Sequence, residues 1–213
     1  TSISGNASNL LSMGTEFDEE TKRQLYSDIY DDSVWLINLV ENLLSITRLV
    51  EGRLNLNITE DLIEDVIAEA LRHINKNASE HSITVFCQED FLLAKMDSRL
   101  IVQVVINLVN NAIAYTPSGS HIQIKAKKND GTIVVSVSDD GNGISDTAKQ
   151  KVFDMFYSGE HKIADSRRSC GIGLSLCKSI INAHGGEISV SDNEPHGAVF
   201  TFTLPAGEVQ WHE

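Results

Sequence analysis

The apolar positions fall into two regimes along the chain. From Leu25, the residues Leu25, Ile29, Leu36, Leu39, Leu43, Ile46 and Val50 recur at three- and four-residue spacing, interrupted only at Asp32, and Ile37, Val40 and Leu44 widen the stripe. The spacing predicts a long helix. Met13-Gly14 reads as the stop of a preceding helix, and Asp18 as the N-cap of the long one. So wide an apolar face fits either one half of a dimeric four-helix bundle or a helix pair packed on its own domain.

Past Glu51-Gly52 the pattern alternates. A strand is expected over Leu54 to Ile58, and a helix over Leu62 to Ile74 with Ile63, Val66, Ile67, Ala70 and Leu71 on one side. Strands near Ile83 to Cys87 and Leu92 to Met96 lead to a strongly apolar helix from Arg99 to about Tyr115. Ile122, Ile124 and Ala126 then alternate, Asp130-Gly131 turns, and Ile133, Val135 and Val137 alternate back, which predicts a β-hairpin. A polar, turn-rich stretch runs to about Cys170, followed by a helix to His184 and a last hairpin through Ile188, Val190, Val199, Phe200 and Phe202. The fold class is therefore α+β, a sheet covered on one face by helices, with a helical hairpin over residues 1–52 and a second domain over 53–213.

Charge narrows the partners. The chain has 213 residues and a formal net charge of -13, from 30 acidic and 17 basic side chains, with no basic patch interleaved with aromatics. Such a surface repels a phosphate backbone, so nucleic acid is not expected as a partner. Local clusters such as Lys125, Lys127, Lys128 and Arg167, Arg168 still suit a small anion. Three cysteines without a CxxC pair suggest neither a disulfide framework nor a zinc site. No apolar run approaches the roughly 18 residues that cross a bilayer. The absence of an initiating methionine is read as the mark of a piece of a longer protein.

Three segments carry candidate chemistry. On the Arg99–Tyr115 helix, Ile101, Val105, Leu108 and Ala112 face a core, while Gln103, Asn107, Asn111 and Ala114 line the opposite side. Asparagines are poor helix formers, so two on one stripe call for a reason. Carboxamide oxygens can ligate a hard cation and their NH2 groups can donate to phosphate, although taken by itself the pair is better explained as a solvated helix face. At the end of the strand Ile133 to Ser138 comes Asp139, Asp140, Gly141, Asn142, Gly143: a carboxylate able to accept from an exocyclic amine, with glycines that let backbone approach a flat ligand. Gly171 and Gly173 immediately precede an apolar helix, whose free N–H groups and positive dipole end suit phosphate. This is neither a Walker loop nor a dinucleotide fingerprint.

In their order and spacing these segments resemble the GHKL ATPase superfamily, and within it the ATP-binding domain of bacterial sensor histidine kinases. Asn107 to Pro117 (NLVNNAIAYTP) is similar to the N box, Asp139 to Ile144 to the G1 box, Lys151 to Tyr157 to the F box, and Gly171 to Leu174 to the G2 box; His196 to Pro205 matches the family's usual ending. TSISGNASNLL and LCKSIINAHGG are most similar to the potassium-responsive branch of these kinases. The resemblance implies a two-layer α/β sandwich of the Bergerat (GHKL) type, preceded by part of a dimerisation hairpin. It implies ATP and Mg2+ as cofactors, with Asp139 reading the adenine amine, Tyr115 near the base, and Asn111 on Mg2+ beside Asn107. Gly141, Gly143, Gly171, Gly173 and Leu174 would bring backbone near the nucleotide. Phe153 and Phe156 would anchor a lid whose Lys162, Arg167 and Arg168 reach phosphate. As partners it implies a second copy through the hairpin and a response regulator, with the membrane reached only through segments absent here. It places the chain as a cytoplasmic domain of a bacterial inner-membrane protein that signals potassium or osmotic state.

Two positions depart from the family pattern: Ala114 stands where a Lys or Arg is usual, and Ser169 where Gly is frequent. Losing a phosphate-facing cation weakens nucleotide binding, and a degenerate nucleotide-responsive interaction module without kinase activity is the alternative reading. The family's phosphoacceptor, a histidine followed by Glu or Asp on the first bundle helix, is missing. The seven histidines, His73, His81, His121, His161, His184, His196 and His212, all lie beyond the hairpin. The chain is therefore expected to hold the ATP half of a phosphotransfer machine and, alone, not to phosphorylate itself.

Overall fold

A computed structural model describes residues 3–13, 17–50, 56–74, 78, 80–157 and 171–208. The chain divides into two compact units, Thr1–Thr47 and Arg48–Glu213.

In the first unit, α1 (Ile3–Met13) stops just before Gly14, and α2 (Glu19–Val50) starts after Asp18. Asp18 Oδ1 accepts from the Thr21 N–H at 2.6 Å, the capping bond expected of that residue, and hydrogen bonding from the Thr21 side chain, then from its N–H, holds the Asp18 carboxyl below the usual range. Glu19 and Glu20 in the first turn complement the helix dipole. Along α2, Leu36, Val40 and Leu44 recur every fourth residue and are exposed.

In the second unit, five strands form one mixed sheet in the order β2 (Ser82–Cys87), β4 (His121–Asn129), β5 (Thr132–Asp139), β7 (Ala198–Pro205), β6 (Ile188–Asp192). All pairs are antiparallel except β2–β4, which is parallel. Helices α3 (Ile63–Arg72), α4 (Ser98–Tyr115) and α6 (Gly173–Ala183) pack side by side, α4 in the middle. Strict alternation on the strands supplies the core: Ile122, Ile124 and Ala126, then Ile133, Val135 and Val137, then Phe200, Phe202 and Leu204 are buried. They meet Ile101, Val105 and Leu108 of α4 and Leu176 and Ile180 of α6, all buried. This is the two-layer α+β arrangement expected.

The first strand of this unit differs from expectation. Residues 56–58 are not strand, residues 54 and 55 lie outside the described residues, and β1 is Thr59–Leu62, paired antiparallel with β3 (Leu93–Met96). Glu60 sits opposite Lys95, their side chains 3.7 Å apart, so a polar segment with no hydrophobic alternation is held by its partner strand. The polar stretch after β5 holds a one-turn helix, α5 (Asp146–Lys149), capped by Ser145.

Candidate functional site

Helix α4 runs under the sheet with its apolar stripe buried, so its other face carries Asn107 and Asn111, both half-buried, and ends in the exposed Ala114 and Tyr115. One helical turn separates the two carboxamides, which puts them on the same stripe. Asn107 Nδ2 is buried and has no oxygen or nitrogen acceptor among the described residues; the fully buried Cys177 thiol of α6 is its neighbour. A donor left without an acceptor is costly in a folded protein and marks a place for a ligand oxygen. Gly173, at the start of α6, lies against the same side chain: a Cβ there would stand 3.6 Å from Asn107 Oδ1. The asparagine stripe of α4 and the glycine that starts α6 thus meet at one point.

At the end of β5, Asp139 is buried, at 8% exposure. Its Oδ1 accepts from the N–H groups of Gly141 (3.0 Å) and Ala198 (3.2 Å), and no described residue donates to Oδ2. Burial pushes its carboxyl up, the two N–H bonds oppose that, and the neighbouring Asp140 charge adds to it. Gly141 lets the loop close on the end of α4: a Cβ there would meet Thr116 Cγ2 at 2.8 Å and Tyr115 O at 3.3 Å. Gly143 has φ of 73° and lies against Gly197, whose carbonyl oxygen would be 3.1 Å from its Cβ. Asp139, Gly141 and Tyr115 therefore form one neighbourhood, with Gly143 beside it.

Gly171 has φ of 63° and packs so tightly on the Phe156–Tyr157 backbone that a side chain has no room; its carbonyl accepts from the Phe156 N–H at 3.0 Å. Leu174 is half-buried in the first turn of α6. Phe153 is anchored edge-on against Phe200, ring centroids 6.2 Å apart, and Lys178 Nζ lies 6.0 Å from its ring centroid. Phe156 does not anchor in the same way; it is 65% exposed. Lys162, Arg167 and Arg168 lie outside the described residues, as does Ser169.

Residues 96–208, which include all these described groups, match the family of histidine kinase-, DNA gyrase B-, and HSP90-like ATPases. The chain belongs to that family. It is 42% identical to the sensor protein KdpD of Clostridium acetobutylicum across 95% of the chain and 23% of that protein. The heme sensor protein HssS of Staphylococcus aureus is 32% identical across 92% of the chain and 42% of its own length. Among solved structures, the catalytic domain of histidine kinase ThkA superposes with a TM-score of 0.63 at 30% identity, covering 70% of this chain and 95% of that domain. The histidine kinase AdeS of Acinetobacter baumannii shares the fold, with a TM-score of 0.68 over 97% of this chain and 94% of its own at 21% identity. The chain spans about a quarter of the KdpD sensor and less than half of HssS.

The residues present fit a magnesium nucleotide. Asn107 Nδ2 is an orphaned donor suited to a phosphate oxygen, and a neutral carboxamide oxygen on Asn111 suits a hard cation. Among the described residues no cluster of three or more His, Cys, Asp or Glu could hold a metal. What the residue pattern alone did not reveal is the β6–β7 turn: Asn193, His196, Gly197 and Ala198 all touch the Asp139 loop. Only the family's usual ending signalled that segment, with no role attached to it.

Proposed function

We propose that this chain is the ATP-binding catalytic portion of a KdpD-like two-component sensor histidine kinase. In that role it moves the γ-phosphoryl of ATP to a histidine outside this chain, and from there to the aspartate of a KdpE-like response regulator, in potassium or osmotic signalling. The observation that carries the reading is Asp139, a buried carboxylate at a strand end whose Oδ1 is held by two backbone N–H groups while Oδ2 receives none from described residues. That carboxylate accepts from the exocyclic amine of adenine, Tyr115 lies beside the base, and Gly141 and Gly143 keep the loop low enough to admit it. Asn107 donates to phosphate and Asn111 holds Mg2+, which supplies charge neutralisation on the phosphates when bound. Gly171, Gly173 and Leu174 present the backbone at the start of α6, and Lys162, Arg167 and Arg168 add positive charge.

Residues 1–50 contain no histidine, so the acceptor lies on no part of α1 or α2. The exposed stripe Leu36, Val40, Leu44 supports assembly of a homodimer through the hairpin. No described helix is long and apolar enough to cross a membrane; attachment to a bacterial inner membrane, with this portion on the cytoplasmic side, would come from other segments. Titration with a fluorescent ATP analogue and Mg2+ tests the reading. Saturable binding that disappears in a folded Asp139→Asn variant supports it, and absence of binding by the unaltered chain overturns it.

A further inference from the structure

The ladder between β5 and β7 ends at Ser138 opposite Val199, one residue short of Asp139. Asn193, in the turn that joins β6 to β7, takes over there: its Nδ2 donates to the main-chain oxygen of Asp139 at 2.7 Å. Asn193 is itself held at two points. Its backbone N–H donates to Gly197 O at 3.0 Å, and its Oδ1 accepts from the Glu194 N–H at 3.1 Å. The two side-chain bonds, one donated and one accepted, suit a short carboxamide.

The same turn grips Asp139 a second time, through the Ala198 N–H on Oδ1 at 3.2 Å. His196 Nδ1 donates to Gly141 O at 3.2 Å, tying down the next part of the loop. Gly197, with φ of 116°, lies so close to the Asp139 carbonyl oxygen that a Cβ would overlap it. Main chain and carboxylate of one residue are thus fixed from one turn about 55 residues further along the chain.

We infer that Asn193 is a positioning residue for adenine recognition: by holding the Asp139 carbonyl it sets where the carboxylate stands to meet the exocyclic amine. The inference rests on the reading of Asp139 proposed above. Asn193 acts through Asp139 and need not touch the nucleotide. A hydrogen bond to a base edge is sensitive to small displacements of its acceptor, so the effect falls on the amine and not on nucleotide binding in general.

The test compares ATP with inosine triphosphate, which carries a carbonyl where ATP carries the amine, each with Mg2+ on the whole chain. Asn193→Asp keeps the shape and Oδ1 and removes the donor; Asn193→Ala removes the side chain without adding charge; Asn193→Ser restores a shorter donor. The expected result is ATP affinity lowered on the order of fivefold in the Asp and Ala variants, inosine triphosphate affinity unchanged, and partial recovery in the Ser variant. Asp192→Asn, which removes the partner of Lys149 one residue away, should leave the ratio of the two affinities as it was. If both nucleotides weaken together, or the ratio does not move, Asn193 serves only the turn and the inference is overturned. If Asp139→Asn retains the full preference for ATP, the adenine reading itself fails. If Asp139→Asn erases the preference while Asn193→Ala leaves it, only the positioning role fails. Should the Asp variant not fold, the Ala and Ser variants decide by the same ratio.

Discussion

The backbone N–H of Asp97, just before α4, donates to Nε2 of His184, just after α6, at 3.0 Å. Nδ1 of the same ring donates to Ile180 O at 2.7 Å, so the imidazole is held with its proton on Nδ1 and its lone pair on Nε2. Both residues are buried. The bond locks the back ends of the two helices whose other residues, Asn107 and Gly173, meet at the site.

His184→Leu keeps apolar volume and leaves the Asp97 N–H buried without an acceptor. A loss of about 1–3 kcal/mol is expected in denaturant unfolding, with the slope of the transition unchanged. A variant as stable as the parent would show that the bond contributes nothing to joining the helices.

Asp139 sets opposite pH trends for folding and for binding. Burial raises its pKa in the folded protein, so its contribution to stability is full below the ordinary aspartate range and is lost as pH rises through the raised value. Accepting from an amine needs the carboxylate, so ATP affinity should fall as pH drops through that same raised value. Parallel unfolding and ATP titrations from about pH 4 to about pH 7 check both trends. Asp139→Asn should be no less stable than the parent at neutral pH, because an amide oxygen still accepts from Gly141 and Ala198, and it should show neither trend.

Gly141 and Gly173 should respond differently to alanine. At Gly173 the added Cβ makes ordinary contact with Asn107, and alanine is the better helix former, so Gly173→Ala should hold or gain up to about 1 kcal/mol of stability while weakening ATP binding. At Gly141 the Cβ meets Thr116 Cγ2 at 2.8 Å and Asp139 Oδ1 at 3.0 Å, so stability should fall by about 1–3 kcal/mol along with binding. Thermal unfolding and nucleotide titration of both variants separate a glycine kept for a ligand from one kept for the fold.

Cys177 should be chemically silent. Burial pushes its thiol up to about 12, and the side chain is fully enclosed. Alkylation of the native protein at about pH 8 followed by peptide mapping should leave Cys177 unmodified until denaturant is added. Modification of native Cys177 at a rate like that of the half-buried Cys87 would show that α6 opens far more readily than its packing implies.

Elements whose information is local were legible in the residues alone. The two-faced pattern of α4 follows from a helical period acting on Ile101, Val105, Leu108 and Asn107, Asn111, and the β4–β5 hairpin from alternation on either side of Asp130-Gly131, both at positive φ. The Asp18 cap and the stop at Met13 needed only their immediate neighbours. The acidic charge, the GHKL boxes and the absence of a histidine from the first fifty residues were likewise properties of the string. Tertiary structure alone decided that β1 is the polar segment Thr59–Leu62, because backbone pairing with β3 has no side-chain period of its own. It alone made β2 and β4 parallel, brought Gly173 to Asn107, and set the Asn193 carboxamide on the carbonyl of Asp139. Those contacts join residues far apart along the chain, each with main-chain atoms on at least one side, which every residue carries alike, and only the packed fold selects which of them meet.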